Sequence, residues 1–249
     1  MTRLAWDAVD ERIYEFGVDR GVLYPHTGDG VVWNGLVAVT EQAEGGSIES
    51  YYVDGIKYLD RSTTEDFKAT IEAFTYPDEF AAADGSLAMG NGLRVTSQRR
   101  KRFGLSYRTK IASPTNETLG YKIHIINNAM VEPTERQNQT VGAQFDPLNF
   151  SWSISTRPDV VRGYRPTGHL ILDSRDCPEA LLATIEGILY GTETTAPRLP
   201  TAGEFIFLVD SYLSEIYDAG FIEDPVYELY DGGDPTGIPV LEPLDFGGP

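Results

Sequence analysis

The chain has 249 residues, 41% of them hydrophobic and 11% aromatic, enough to bury the core of one large β domain or two small ones. With 38 acidic against 20 basic side chains its formal net charge is −18, so the surface as a whole repels nucleic acid and anionic membranes. One cysteine, Cys177, excludes an internal disulfide and any multi-cysteine zinc site, and a reducing compartment is the simplest expectation.

Met1 to Asp7 holds no apolar run, and no later stretch approaches the roughly 18 apolar residues of a membrane span, so neither a signal peptide nor a span is expected. The 25 glycines and 15 prolines suit many strands and turns better than a helical bundle. Val18 to Tyr24 and then Val31 to Thr40 read as strands around a Pro25 to Gly30 turn. A Glu/Gly-rich loop, Glu41 to Gly46, leads to Ile48 to Leu59, where Asp54-Gly55 between apolar runs predicts a tight hairpin. Phe67 to Phe74 alternates as a strand, and Pro77 opens a helical turn that closes near Asp84-Gly85.

From Leu93 the pattern is strand-like again, through the basic run Arg99, Arg100, Lys101 and Arg102 and on to Ile111, with a turn at Pro114 to Asn116. Tyr121 to Asn127 alternates as a half-buried strand, Glu132 to Leu148 reads as a long polar loop, and Phe150, Trp152 and Ile154 alternate with serines. A further strand is expected over His169 to Leu172. Pro178 to Tyr190 carries Leu181, Leu182, Ile185, Ile188 and Leu189 at helical spacing, and Thr201 to Ala219 opens with the capping pattern Thr201 to Glu204. Phe221 to Pro249 is acidic and rich in glycine and proline, and no lysine or arginine follows Arg198. These elements place a β domain over 1–200, with its helix at 178–190, and a helix with an acidic extension over 201–249.

Chemistry finds little purchase in the motifs. The three histidines, His26 in a turn and His124 and His169 in strands, show no HExxH, HxH or Cys/His spacing, so neither a protein-only zinc site nor a catalytic histidine is expected. No Gly-x-Ser-x-Gly elbow, phosphate loop, dinucleotide fingerprint or EF-hand spacing occurs; Gly28-Asp29-Gly30 and Gly90-Asn91-Gly92 are turns. Glu49, Asp54, Glu72 and Asp173 lie in or beside strands, but spacing selects no carboxylate pair of the kind a glycosidase needs. No catalytic residue, cofactor or metal is therefore expected. The Arg99, Arg100, Lys101 and Arg102 run is a candidate subunit interface, a basic stripe able to meet an acidic surface of another copy.

Seven stretches, taken together and in order, carry a resemblance: GVDRGVLY at Gly17–Tyr24, WNGL at Trp33–Leu36, YYVDGIKY at Tyr51–Tyr58, ATIEAFTYPDEF at Ala69–Phe80, FGLSYRT at Phe103–Thr109, GYKIH at Gly120–His124 and LYGT at Leu189–Thr192. They resemble the major tail protein, the tail tube subunit, of long non-contractile-tailed bacteriophages that infect actinobacteria. The resemblance implies a mainly β fold, an antiparallel β-sandwich or partly closed barrel with one or two flanking helices. It also implies homohexameric rings that self-assemble and stack into a hollow tube in the virion, built in the bacterial host cytoplasm. The implied partners are other copies of the chain, a tape-measure protein, a tail terminator and distal tail or baseplate proteins. Phage DNA would pass through during ejection without specific binding, aided by an acidic lumen, and no membrane is involved. The alternative is a carbohydrate-binding or adhesion β-sandwich module of a virion, motivated by Trp6, Trp33, Trp152 and the Tyr51-Tyr52 pair.

Overall fold

The computed structural model describes residues 12–218 apart from 64, 137, 139 and 141–147. Residues through Ser211 form one compact unit, and a second begins at Tyr212. The chain is mainly β. In order the strands are β1 (Tyr14–Tyr24), β2 (Val31–Val32), β3 (Leu36–Gly45), β4 (Ile48–Val53), β5 (Ile56–Ser62), β6 (Glu65–Ala73), β7 (Leu87–Gly90), β8 (Leu93–Val95), β9 (Phe103–Ser113), β10 (Asn116–Val131), β11 (Phe150–Thr156) and β12 (His169–Asp173). A 3-10 turn (Asp78–Phe80) runs into the short helix α1 (Ala81–Asp84); α2 (Glu179–Tyr190) and α3 (Ala202–Asp218) follow the strands. Among the described residues no helix is long and apolar enough to cross a membrane.

The main sheet runs β2-β1-β9-β10-β11-β6-β3, every pairing antiparallel, with β12 added on β10. Its two terminal strands, β2 and β3, are joined by only Trp33, Asn34 and Gly35, so the sheet must roll until its ends meet. The expected single strand over Val31 to Thr40 is therefore broken. Trp33 N–H bonds Gly21 O on the β1 side, while Phe74 N–H bonds Gly35 O on the β6 side. Gly35 makes that step possible: its φ is +78°, and a Cβ there would meet Thr75 Cγ2 at 2.7 Å.

The long strand β10 turns the other corner. Its first half pairs with β12, Lys122 opposite Asp173 through Ile126 opposite His169, and its end pairs with β11 from Ala129 onward. Between them Asn128 sits at φ 52°, in a break of register with β9, where asparagine tolerates the left-handed region.

Alternation along β10 and β9 divides two cores. Leu105, Tyr107 and Ile126 face the barrel interior with Trp33, Ile71, Phe80, Phe103 and Trp152. Phe80 is the hub, with ring centroids at 4.7 Å from Trp33, 5.1 Å from Trp152 and 5.3 Å from Phe103. The opposite face carries Tyr24, Ser106, Tyr121, Ile123 and Ile125, and α2 lies over it. Tyr24 donates to Leu189 O at 2.8 Å and Tyr121 to Glu186 Oε1 at 2.8 Å, while Leu181, Ile185 and Leu189 are buried. Sequence alternation predicts a half-buried strand over Tyr121 to Asn127, yet Ile123 through Asn127 are all buried. The helix layer is the reason, because it dries the face that would otherwise meet water.

Two further expectations need correction. Glu41 to Gly45 is strand, the end of β3 paired with Glu65 to Ala69 of β6, rather than loop. The basic run is coil between β8 and β9, held by Gln98 N–H to Gly85 O and Lys101 N–H to Ala82 O. At the start of α3 the cap is one-sided: Thr201 Oγ1 accepts Glu204 N–H at 3.3 Å, but the Glu204 carboxylate pairs with Arg198. The acidic segment 219–249 lies outside the described residues, as does Trp6.

Candidate functional site

Strands β3 and β6 continue, past Gly45-Gly46, into β4 and β5 on a nearly unbroken register: Gly45 opposite Glu65, then Ile48 opposite Ser62. The result is one long ribbon whose base belongs to the barrel and whose tip pairs only with itself. Six residue pairs give the tip a length of about 20 Å. It is closed by Asp54 and Gly55, at φ 51° and 77°, the double left-handed turn that the Asp-Gly pair predicts.

Among the described residues nothing covers the tip. Ile48 is 68% exposed, Tyr52 65%, Ile56 73% and Tyr58 72%, and Tyr51, Val53 and Leu59 are exposed as well. A second hairpin, β7 with β8, closes on Asn91-Gly92 and leaves Leu87, Met89 and Leu93 exposed. Apolar surface on both faces of a two-stranded ribbon is unstable against water and is the mark of a binding surface. Among the described residues, β3, β12 and the Tyr14–Asp19 half of β1 each have a partner strand on one side only. Those are open edges able to accept another strand.

Of the candidate interface residues, Arg99 and Lys101 are exposed. Arg100 Nε reaches Asp84 O at 3.4 Å, and Arg102 Nη1 donates to Asn128 O at 2.6 Å. Half of the run thus anchors its own loop, and half faces outward.

Inside the barrel mouth the fold collects a polar cluster that spacing did not disclose. Glu41 on β3 lies across from His124 on β10 and His169 on β12. Glu41 Oε1 is 3.0 Å from His124 Nδ1 and 3.8 Å from His169 Nε2, and the two ring nitrogens are 3.3 Å apart. Tyr107 donates its hydroxyl to the same carboxylate oxygen at 2.5 Å, and Thr109 Oγ1 meets His124 Nε2 at 3.1 Å. The rings are walled in, Tyr107 stacked on His124 at 4.7 Å and Phe67 against His169 at 4.4 Å.

Protonation follows from these contacts. The His124 hydrogen bond, with the Tyr107 hydroxyl and His169 adding to it against the cost of burial, holds the Glu41 carboxyl down at about 2. Burial lowers His169 to about 4, although the Glu41 carboxylate pulls the other way. Burial first, then the Glu41 carboxylate, pushes the Tyr107 phenol up, so it remains a donor. At neutral pH the cluster therefore presents an ionised carboxylate and a neutral His169 imidazole.

The carboxylates considered as catalytic candidates are not brought together. Glu49 meets Tyr51 OH at 3.3 Å, Asp54 sits in the ribbon turn, Glu72 accepts from Asn149 at 3.0 Å, and Asp173 is clamped by Arg175 at 2.7 Å. His26 lies in the expected turn, and its side chain is exposed. Glu41 escapes a reading by spacing because 83 residues separate it from His124 and another 45 separate His124 from His169; the only signal is that each falls on an inward position of its strand. Trp33 and Trp152 are core residues, which removes two of the aromatics that suggest a glycan-binding face.

No family model and no curated protein matches the chain. Among solved structures it is similar to a chain of the PVC sheath–tube complex of an extracellular contractile injection system in the extended state, seen by cryo-electron microscopy. The TM-score is 0.31 at 9% identity, over 62% of this chain and 88% of that one.

Proposed function

We propose that this chain is a structural, non-enzymatic subunit of a phage tail tube, self-assembling into stacked rings around a channel through which DNA passes. The observation that carries the reading is the uncovered ribbon tip, with Ile48, Tyr52, Ile56 and Tyr58 held in water by a hairpin that has no core of its own. Such a surface needs a partner, and a second copy supplies one without further components. The open edges of β1, β3 and β12 support the same conclusion, since strand pairing between copies would satisfy their free N–H and C=O groups. The resembling stretches build these parts: β1, the Trp33–Leu36 crossover, the ribbon tip, β6, β9, β10 and the end of α2.

Hexameric rings, a tape-measure strand in the lumen, a terminator and a baseplate below belong to this proposal, as does a location in the virion tail. With a net charge of −18, a lumen lined by this chain would repel the phosphate backbone and let DNA slide. The test is sedimentation velocity on the wild-type full chain and on Tyr52→Ser/Ile56→Ser. Wild type is expected to form species of several copies that grow with concentration, and the variant to stay monomeric with unchanged circular dichroism. Two proteins that sediment alike as monomers overturn the role given to the ribbon.

A further inference from the structure

We infer that Glu41, His124 and His169 form a binding site for a divalent transition-metal ion, with zinc the best chemical match. The inference stands independently of the tube reading.

The geometry is that of a ligand triangle. Its edges of 3.0, 3.3 and 3.8 Å bracket the spacing of about 3.4 Å between neighbouring ligands of a tetrahedral ion bound at about 2.0–2.1 Å. An ion placed about 0.7 Å out of the triangle's plane would reach all three donors without moving the strands. Three strands that are not neighbours in sequence supply one donor each, so the folded barrel, not a flexible loop, fixes the spacing.

Donor type selects the metal. Two imidazole nitrogens and one carboxylate oxygen suit zinc, and the same set suits nickel, copper or iron(II), whereas calcium and magnesium need more oxygens. One formal negative charge favours a cation, and three protein ligands leave a fourth position for water.

The surroundings are those that orient metal ligands. Thr109 Oγ1 lies 3.1 Å from His124 Nε2 and can accept a hydrogen bond from it in the tautomer that turns the Nδ1 lone pair to an ion, so that the ion replaces the Nδ1 proton shared with Glu41. The Tyr107 hydroxyl fixes the Glu41 oxygen, and the flanking Tyr107 and Phe67 rings restrain both imidazoles. Glu41 itself is 35% exposed, which gives an ion an entrance from solvent.

The test starts from the full chain stripped with a chelator and uses zinc chloride in calorimetric titration, with cobalt(II) as a spectroscopic probe. One equivalent of zinc should bind per chain, the melting temperature should rise with zinc, and cobalt should show the visible absorption of a four- or five-coordinate ion. His169→Asn and Glu41→Gln should weaken binding at least tenfold and abolish the zinc-dependent shift, and Thr109→Val should weaken it less. His26→Asn, outside the cluster, should bind as wild type does. Should the ligand substitutions prevent folding, the wild-type titration and Thr109→Val decide. Absence of zinc uptake by the folded wild-type chain, or uptake that survives the ligand substitutions, overturns the inference and leaves a hydrogen-bonded cluster that only ties β3 to β10 and β12.

Discussion

Under α2 a charged group illustrates how a single side chain can hold two layers together. Arg108 on β9 forms two hydrogen bonds to Asp19 on β1, at 2.9 and 3.2 Å, and lies 4.3 Å from the Tyr121 ring centroid, with Lys110 3.4 Å from the same carboxylate. Burial opposes the Asp19 charge, but Arg108 and Lys110 outweigh it and hold its carboxyl below the usual range. Asp19→Asn should therefore cost about 2 kcal/mol in denaturant unfolding near pH 7. A carboxyl whose folded pKa lies below its unfolded value stabilises at pH above the unfolded value and loses that contribution as pH falls through the folded one. The gap between wild type and Asp19→Asn should thus close below about pH 4, and a gap that widens in acid would refute the assignment. Phe80, touching four aromatic neighbours in the barrel, should cost about 3–5 kcal/mol when cut to alanine, measured the same way. Sequence reading reached such residues unevenly. His124 is legible as a strand residue from the Tyr121 to Asn127 alternation, but its partners are set by barrel closure, which no local spacing encodes.

Among the elements, the ribbon from β3 to β6 separates core from assembly. Its turn demands left-handed backbone at both Asp54 and Gly55, so Gly55→Val should cost the hairpin about 1–2 kcal/mol. Because among the described residues the tip shares no core with the barrel, thermal unfolding of the monomer should move little while assembly weakens, a split that light scattering beside circular dichroism would reveal. A variant that melts much earlier would show instead that the tip packs on the barrel. Most strands were legible here because alternation and turn residues agree: Asp54-Gly55, Pro114 and the serines around Trp152 mark their elements directly. The misses have physical causes. β10 looks half-buried because a sequence does not show that a helix covers its second face. The end of β3 looks like loop because Glu41 to Gly46 is polar and glycine-rich, although pairing with β6 carries it through Gly45. The basic run looks like strand, but its backbone is spent on Gly85 and Ala82 rather than on a ladder.

For the whole molecule the contrast is between a net charge of −18 and an outward-facing basic pair, Arg99 and Lys101. If that pair meets an acidic face of another copy, Arg99→Glu with Lys101→Glu should raise the concentration needed for assembly, and the wild-type assembly should weaken with salt. Equal assembly by both proteins at every ionic strength would remove the run from the interface. What the sequence conveys at this scale is composition and a resemblance; the uncovered ribbon and open edges needed the fold, because exposure depends on what each strand fails to meet. The tube proposal is tested most directly by negative-stain electron microscopy of the purified full chain over a range of concentrations. Stacked rings with a central channel are the expected result, and particles no larger than a single chain at every concentration would contradict it.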